Sequence, residues 1–350
     1  MTPKIPVAIL GATGTVGQKF VRLLAEHPWF EIAAVAASEQ SAGKPYAEAV
    51  RWRETVALPE RVAGMIVQRA EPSLPGRIAF SALDADLAGP IEQALAKVGV
   101  FVVTNTKTHR MDPDIPLLVP EVNAGHLALL ARQRNERGWP GGIVANPNCS
   151  TAALVLALAP LHRAFGVERL VVSTMQAVSG AGYPGVPSLD IVGNIIPYIG
   201  GEEEKIEQET RKILGGLRDG AVVEAAIAVS AHTNRVPVVD GHTETVSVGF
   251  SRRVSPDEAR VALERFRPAG RVASLPSTPE RPLEVDPRID RPQPRLDLDR
   301  GNGMTVTVGR LRPCPLFDVR FVLLGHNTIR GAAGAAVQNA ELLALEGLLD

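Results

Sequence analysis

Cysteine is almost missing from this chain: Cys149 and Cys314 are the two in 350 residues. They could close one bridge at most, which suits a reduced, cytoplasmic protein with free thiols rather than a disulfide-stapled scaffold. An excess of one charge is missing too. Basic residues number 37 and acidic ones 38, a net of −1. Without Lys/Arg runs, nothing drives binding to nucleic acid. No apolar run reaches the ~18 residues of a membrane span, so no membrane association is expected. Thr2-Pro3-Lys4-Ile5-Pro6 leads straight into an apolar stretch and resembles no secretion signal. His, Cys, Asp and Glu do not cluster at metal-ligand spacing, so no metal is expected. Small molecules or protein partners remain as ligands.

The chain is too long for one small core, and its length suggests two domains or three. Apolar content of 45% with 21% charged residues is that of a folded, soluble protein. Residues 5–10 form an apolar run ending at Gly11, as a buried parallel strand would. A helix is expected over 18–27, strands at 31–37, 77–82 and 99–104, and a helix from Pro90 to Lys97. That alternation predicts βαβ units and a Rossmann-like doubly wound sheet. After residue 148 longer strands with period-two character follow, at 168–176, 243–252, 304–311 and 316–324. Ser255-Pro256-Asp257-Glu258 reads as a helix start.

The expected fold class is therefore α/β plus α+β: a dinucleotide-binding part at 1–148, joined by a C-terminal helix within 329–350. A second, α+β part on a mostly antiparallel sheet fills 149–328. Gly/Pro-rich stretches at 177–201 and 268–303 are expected as extended loops around a site or an interface.

Gly11-Ala12-Thr13-Gly14-Thr15-Val16-Gly17 lies between a strand and a helix, where a phosphate loop belongs. Its glycines permit a tight turn and close approach of backbone amides to a pyrophosphate. The spacing is G-x-x-G-x-x-G rather than G-x-G-x-x-G. About 20 residues on, an NAD enzyme places an acid for the ribose hydroxyls. Here Ser38 and Ser41 could bond a 2′-phosphate and Lys44 neutralise it, against one acid, Glu39. NADP is the expected cofactor.

Asn146-Pro147-Asn148-Cys149-Ser150-Thr151 precedes an apolar helix. A sulfur at a helix start faces the positive end of the dipole, which lowers a thiol pKa from its usual ~8.5. Cys149 is thus the candidate nucleophile, and Cys314, between two prolines, a structural thiol. Among seven histidines, His242 follows an Asp240-Gly241 turn and opens a regular strand, a rigid place for an acid/base.

These motifs, with Ser-Gly-Ala-Gly-Tyr-Pro-Gly at 179–185, Gly-Glu-Glu-Glu-Lys at 201–205, Asn-Arg-Val-Pro-Val-Val-Asp-Gly-His at 234–242 and Asn-Thr-Ile-Arg-Gly-Ala-Ala-Gly at 327–334, resemble the aspartate-semialdehyde dehydrogenase family, in its archaeal and fungal branch. Six motifs lie in order along nearly the whole chain. The resemblance implies Cys149 as nucleophile, His242 as acid/base and Gln176 as the group orienting the carbonyl. It implies Arg235 for the substrate α-carboxylate and Glu202, or its neighbour Glu203, for the α-ammonium. Lys205, Asn148 and Arg110 match phosphate-binding positions. Thr13, Gly14, Val16, Ser38, Ser179, Gly180 and Asn327 match cofactor positions.

The implied reaction is NADP-dependent reductive dephosphorylation of aspartyl-4-phosphate, in biosynthesis of lysine, threonine, methionine and isoleucine, by a homodimer or homotetramer. Rival readings are malonyl-CoA reductase on the same scaffold, N-acetylglutamyl-phosphate reductase, and a non-catalytic NADP-binding homologue. Glu202 and Lys205 beside Asn148 and Arg235 favour the aspartyl substrate. Bidentate Arg235 suits a carboxylate.

Overall fold

Five short, largely apolar runs and one polar two-residue strand in the first 145 residues pair into one parallel sheet. They are β1 (Ile5–Leu10), β2 (Phe30–Ala37), β3 (Gln68–Arg69), β4 (Ile78–Ser81), β5 (Phe101–Thr104) and β6 (Gly142–Ala145), in the order β3-β2-β1-β4-β5-β6. The computed structural model describes residues 3–349. Helices Thr15–Leu24, Ala85–Lys97 and Leu129–Arg137 belong to the crossovers. Strands covered on both faces need no alternation, and every residue of β4, β5 and β6 is buried. The order reverses at β1, which pairs with β2 on one side and β4 on the other. The crevice at the carboxyl ends of such strands is where doubly wound sheets bind ligands. Neither β6 nor the Leu129–Arg137 helix is evident from sequence. The strand has four residues, and the helix carries two leucines and one alanine among polar side chains.

The second sheet has the order β10-β7-β11-β14-β13-β12. Its members are β7 (Val167–Gln176), β10 (Ala228–Arg235), β11 (His242–Phe250), β12 (Leu283–Asp286), β13 (Val306–Pro313) and β14 (Val319–Gly325), while β8 (Gly216–Arg218) and β9 (Ala221–Val223) form a separate hairpin. The inner pairings are antiparallel and the two outermost are parallel, so the sheet is mixed. β12 corrects the expectation of an extended loop over 268–303. Its Leu-Glu-Val-Asp is short, and the prolines around it hide it.

Between the sheets runs the helix Cys149–Phe165, buried from Ser150 to Leu161. Against it the second sheet turns Leu170, Val172, Thr174 and Gln176 of β7, and His242, Glu244, Val246 and Val248 of β11. Ser255 caps the Pro256–Arg265 helix in a reciprocal box with Glu258.

The chain then returns to the first sheet. Residues Ile329–Ala333 make one wide π-type turn and Gly334–Leu345 an α-helix, where one unbroken helix over 329–349 was expected. Ala336, Val337, Ala340 and Leu343 share a core with Val7, Ile9, Phe20 and Val144. Arg330 is fully buried, paired with Glu121 at 2.7 Å and bonded to Gln338 and the Met304 carbonyl. Among the described residues, no helix is long and apolar enough to cross a membrane.

Candidate active site

β6 ends three residues before the central helix, and Asn148 makes the turn. Its Oδ1 accepts the backbone amides of Ser150 (3.0 Å) and Thr151 (3.2 Å), which caps the helix and puts Cys149 at its first position. The Cys149 sulfur lies 3.1 Å from Nε2 of His242. Nδ1 of that ring accepts the Ala177 amide at 3.1 Å. A neutral imidazole bonded so carries its proton on Nε2, directed at the sulfur.

Beneath these two, the sheet sets its polar inward side chains in rows. Arg235 is paired in register with Gln176, and His242 follows on the next strand. One row deeper stand Thr233, Thr174 and Glu244, in register across β10, β7 and β11. Gln176 donates to Thr174 Oγ1 at 3.3 Å and reaches Glu202 at 3.5 Å.

Acids and bases arrive from the helix Glu202–Leu214. Glu202 accepts Asn148 Nδ2 at 2.5 Å and Lys205 Nζ at 2.7 Å. Glu203 turns away and accepts the Thr233 amide at 2.9 Å, which leaves Glu202 as the carboxylate at the site. Arg110 donates to Glu209 at 2.9 Å and to the Asn105 carbonyl at 2.7 Å.

The thiol departs from expectation. Burial, and after it the Glu202 carboxylate, push the Cys149 thiol up to about 12, against the pull of Arg110 and Arg235. The helix start does not prevail over a carboxylate and a water-poor setting. Burial, then Arg235 and His326, push His242 down to about 3. The resting pair is a neutral thiol beside a neutral imidazole.

Cys149, Arg110, Asn148, Glu202 and Lys205 line a cavity of about 360 Å³, whose other wall is Thr15, Val16, Ser179, Gly180 and Asn327. Lys107, which no motif marked, lines it too. Gln176, His242 and Arg235 adjoin it beside Glu202, the sulfur and Gly180. A Cβ on Gly180 would come within 2.8 Å of Arg235 Nη1 and 3.3 Å of His242 Nε2, so only a bare backbone passes there undisturbed. Asn327 ties the wall together, donating to Ser179 Oγ and accepting the Gly241 amide, both at 2.8 Å.

A second cavity, about 820 Å³, opens along the carboxyl ends of the first sheet and is lined by Gly11, Thr13, Gly14, Ser38, Glu39 and Arg69. Gly11 has φ +75°, and a Cβ there would lie 2.4 Å from the Ala82 carbonyl; one on Gly17 would lie 2.2 Å from the Gly11 carbonyl. Glycine is obligatory at both, and the loop presents bare backbone to the cavity as a dinucleotide cradle needs. Gly17 is thus a packing residue behind the loop. Ser41 and Lys44 do not line the cavity, a correction to their expected place. The Ser41 amide closes a turn onto Ser38, and the Lys44 backbone carbonyl accepts the Val67 amide. The cation that does line it is Arg69, 3.8 Å from Glu39. Arg69 sits in a two-residue strand with no surrounding motif.

A dinucleotide-type crevice, with a thiol–imidazole pair in a second cavity, is the arrangement of a nucleotide-dependent oxidoreductase. Comparison with known proteins narrows the class. Residues 6–130 match the semialdehyde dehydrogenase NAD binding domain, and residues 158–330 the semialdehyde dehydrogenase dimerisation domain. The aspartate-semialdehyde dehydrogenase of Methanothermobacter thermautotrophicus is 50% identical over 97% of this chain and 99% of its own. That of Cryptococcus neoformans is 47% identical, over 99% of both chains. The crystal structure of the Candida albicans aspartate-semialdehyde dehydrogenase with NADP superposes with a TM-score of 0.90 at 43% identity, covering 99% of this chain and all of that one. The chain belongs to the aspartate-semialdehyde dehydrogenase family.

Proposed function

We propose that this protein reduces L-aspartyl-4-phosphate to L-aspartate-4-semialdehyde with NADPH, through a thioester on Cys149. The observation that carries the reading is the sulfur 3.1 Å from His242, in a cavity that sets the anion Glu202 among the cations Lys205 and Arg110. The substrate has an ammonium, a carboxylate and a phosphate, and this site answers each. Glu202 takes the ammonium. Arg235 offers the carboxylate a planar fork, and Lys205, Arg110 and Asn148 hold the phosphate.

An ammonium on Glu202 cancels the charge that keeps the thiol protonated, so substrate binding itself favours the thiolate. Cys149 then attacks the acyl carbon: the C–S bond forms, the bond from carbon to the phosphate oxygen breaks, and phosphate leaves toward Arg110 and Lys205 with the proton the thiol gave up. Gln176 orients the thioester carbonyl. His242 donates a hydrogen bond from Nε2 to the oxygen as charge gathers there. When that oxygen re-forms the carbonyl the C–S bond breaks, the aldehyde departs, and the sulfur leaves as a thiolate that takes a proton from solvent. Splitting the reduction at a covalent intermediate replaces one hard step by two easier ones.

The cofactor fits the larger cavity: Gly11, Thr13 and Gly14 would hold the pyrophosphate, Ser38 and Arg69 the 2′-phosphate, and Thr15, Val16, Ser179, Gly180 and Asn327 the nicotinamide end. When bound, NADPH supplies the hydride. A homodimer or homotetramer is the assembly we assign, formed on the outer face of the second sheet where Val171 and Thr245 lie uncovered.

The test is an assay with aspartate semialdehyde, phosphate and NADP, omitting each in turn and substituting NAD. Phosphate-dependent NADPH formation is expected, and Cys149→Ser should abolish it while NADP affinity and melting temperature stay near the parent's. No such activity, with NADPH oxidation on malonyl-CoA instead, would overturn the aspartyl assignment.

A further inference from the structure

The helix Glu202–Leu214 carries acid, base, acid, base at positions 202, 205, 209 and 212. Steps of three, four and three residues keep all four on one face. The reaction proposed above uses the first two. The second two are the more deeply buried: Glu209 is 1% exposed and Lys212 4%. A buried carboxylate persists only where its partners compensate it, and the partners of Glu209 are informative. One oxygen accepts Arg110 Nη1 at 2.9 Å, and the other accepts the backbone amide of Asn148 at 2.5 Å. Lys212 donates to the carbonyls of Arg110 (2.7 Å), Asp112 (2.7 Å) and Ile115 (3.0 Å).

Arg110 is therefore gripped at both ends, its guanidinium by Glu209 and Asn105, its backbone by Lys212. Its Nε is buried without a hydrogen-bond partner among the described residues. Asn148 is gripped likewise, its amide by Glu209 and its side chain by Glu202. Arg110 and Asn148 stand on loops after different strands, β5 and β6. Glu209 is the one side chain that joins the arginine at the cavity wall to the amide next to the sulfur.

We propose that Glu209 is a positioning residue for the phosphate end of the site. It aims Arg110 and sets the Asn148–Cys149 turn, with Lys212 bracing the arginine loop from behind. This rests on the reading that Arg110 and Asn148 meet phosphate. The opposing effect is electrostatic: a carboxylate beside Arg110 weakens its pull on an anion. Aim and charge thus predict opposite signs for one substitution.

The experiment measures Michaelis constants for phosphate, aldehyde and NADP in full-length Glu209→Gln. The amide keeps the shape and loses the charge-assisted pairing. The phosphate KM should rise about tenfold or more, while the other two stay within about twofold. In an Arg110→Lys background the same change should add clearly less, because the ammonium has no fork to aim and only the Asn148 amide is left for Glu209 to set. Glu209→Asp, which keeps the charge but falls short of both partners, should also raise the phosphate KM. An unchanged or lower phosphate KM overturns the proposal, as does a uniform loss in all three constants that tracks a lower melting temperature. A parent enzyme that ignores phosphate overturns the proposed reaction itself, whereas a phosphate-dependent parent with an indifferent Gln variant overturns only the role of Glu209.

Discussion

At rest the sulfur of Cys149 keeps its proton, and the side chain that enforces this is identifiable. Burial sets most of the rise to about 12, and Glu202 is the one carboxylate that adds to it. Removing that charge should lower the thiol pKa. Each unit of fall multiplies the thiolate fraction roughly tenfold, and alkylation follows the thiolate. Glu202→Gln should therefore react faster than the parent with iodoacetamide at pH 8, with Cys314, which the substitution leaves alone, as the internal reference. An unchanged or slower rate would remove Glu202 from the account. At this scale the sequence was legible where a residue sits in a motif. Cys149 and His242, ninety-three positions apart, meet at 3.1 Å. Glu209, Lys212, Arg69 and the direction of the thiol shift were not legible, because each depends on neighbours that only folding brings up.

At the scale of elements, the wide turn at Ile329–Ala333 has a steric reason to be where it is. A Cβ on Gly331 would lie 2.6 Å from the Cys149 Cβ and 2.9 Å from its Cα. The turn presses bare backbone against the first residue of the central helix. Gly331→Ala must push that residue aside, and a shift near 1 Å at a reacting atom costs about 10²-fold in rate. Turnover should fall on that order while NADP binding, seated mainly on the Gly11–Gly17 loop, changes little. Near-normal turnover in the variant would show that the contact yields without moving the sulfur. A π-type turn is invisible to any periodicity, which explains the expectation of one continuous helix. Strand β11 was readable because it is long and alternates. β6, β10 and β12 are hidden in the sequence because they are short, or polar on one face, or wrapped in prolines.

At the scale of the whole molecule, the second sheet keeps one wholly buried ionisable group that has no partner among the described residues. Glu244 is wholly buried, neither of its oxygens is hydrogen-bonded, and burial raises its pKa well above 4.5. Its folded pKa thus exceeds its unfolded one. Below the unfolded value both states are protonated and folding carries no penalty. As pH rises, the unfolded chain ionises and the folded chain resists, so stability is lost. Glu244→Gln cannot ionise. Its melting temperature should match the parent's near pH 4 and exceed it increasingly toward pH 8, as scanning calorimetry across that range would read. Parallel curves would mean that Glu244 finds compensation. The large architecture was the most legible layer, since a strand–glycine loop–helix opening and a change of strand length near residue 148 mark two kinds of sheet. The parallel pairings at the outer edges of the second sheet were not legible, because no local pattern encodes a strand's distant partner.

The seal of the first sheet lies far downstream of its last strand, β6. Ala336, Val337, Ala340 and Leu343 fill a core whose other walls are Val7, Ile9 and Phe20. During synthesis all six strands of that sheet leave the ribosome with this apolar face still open. The half of the molecule that is translated first therefore stays incomplete until these residues follow, and the interval between is when chaperones and proteases have their access to it.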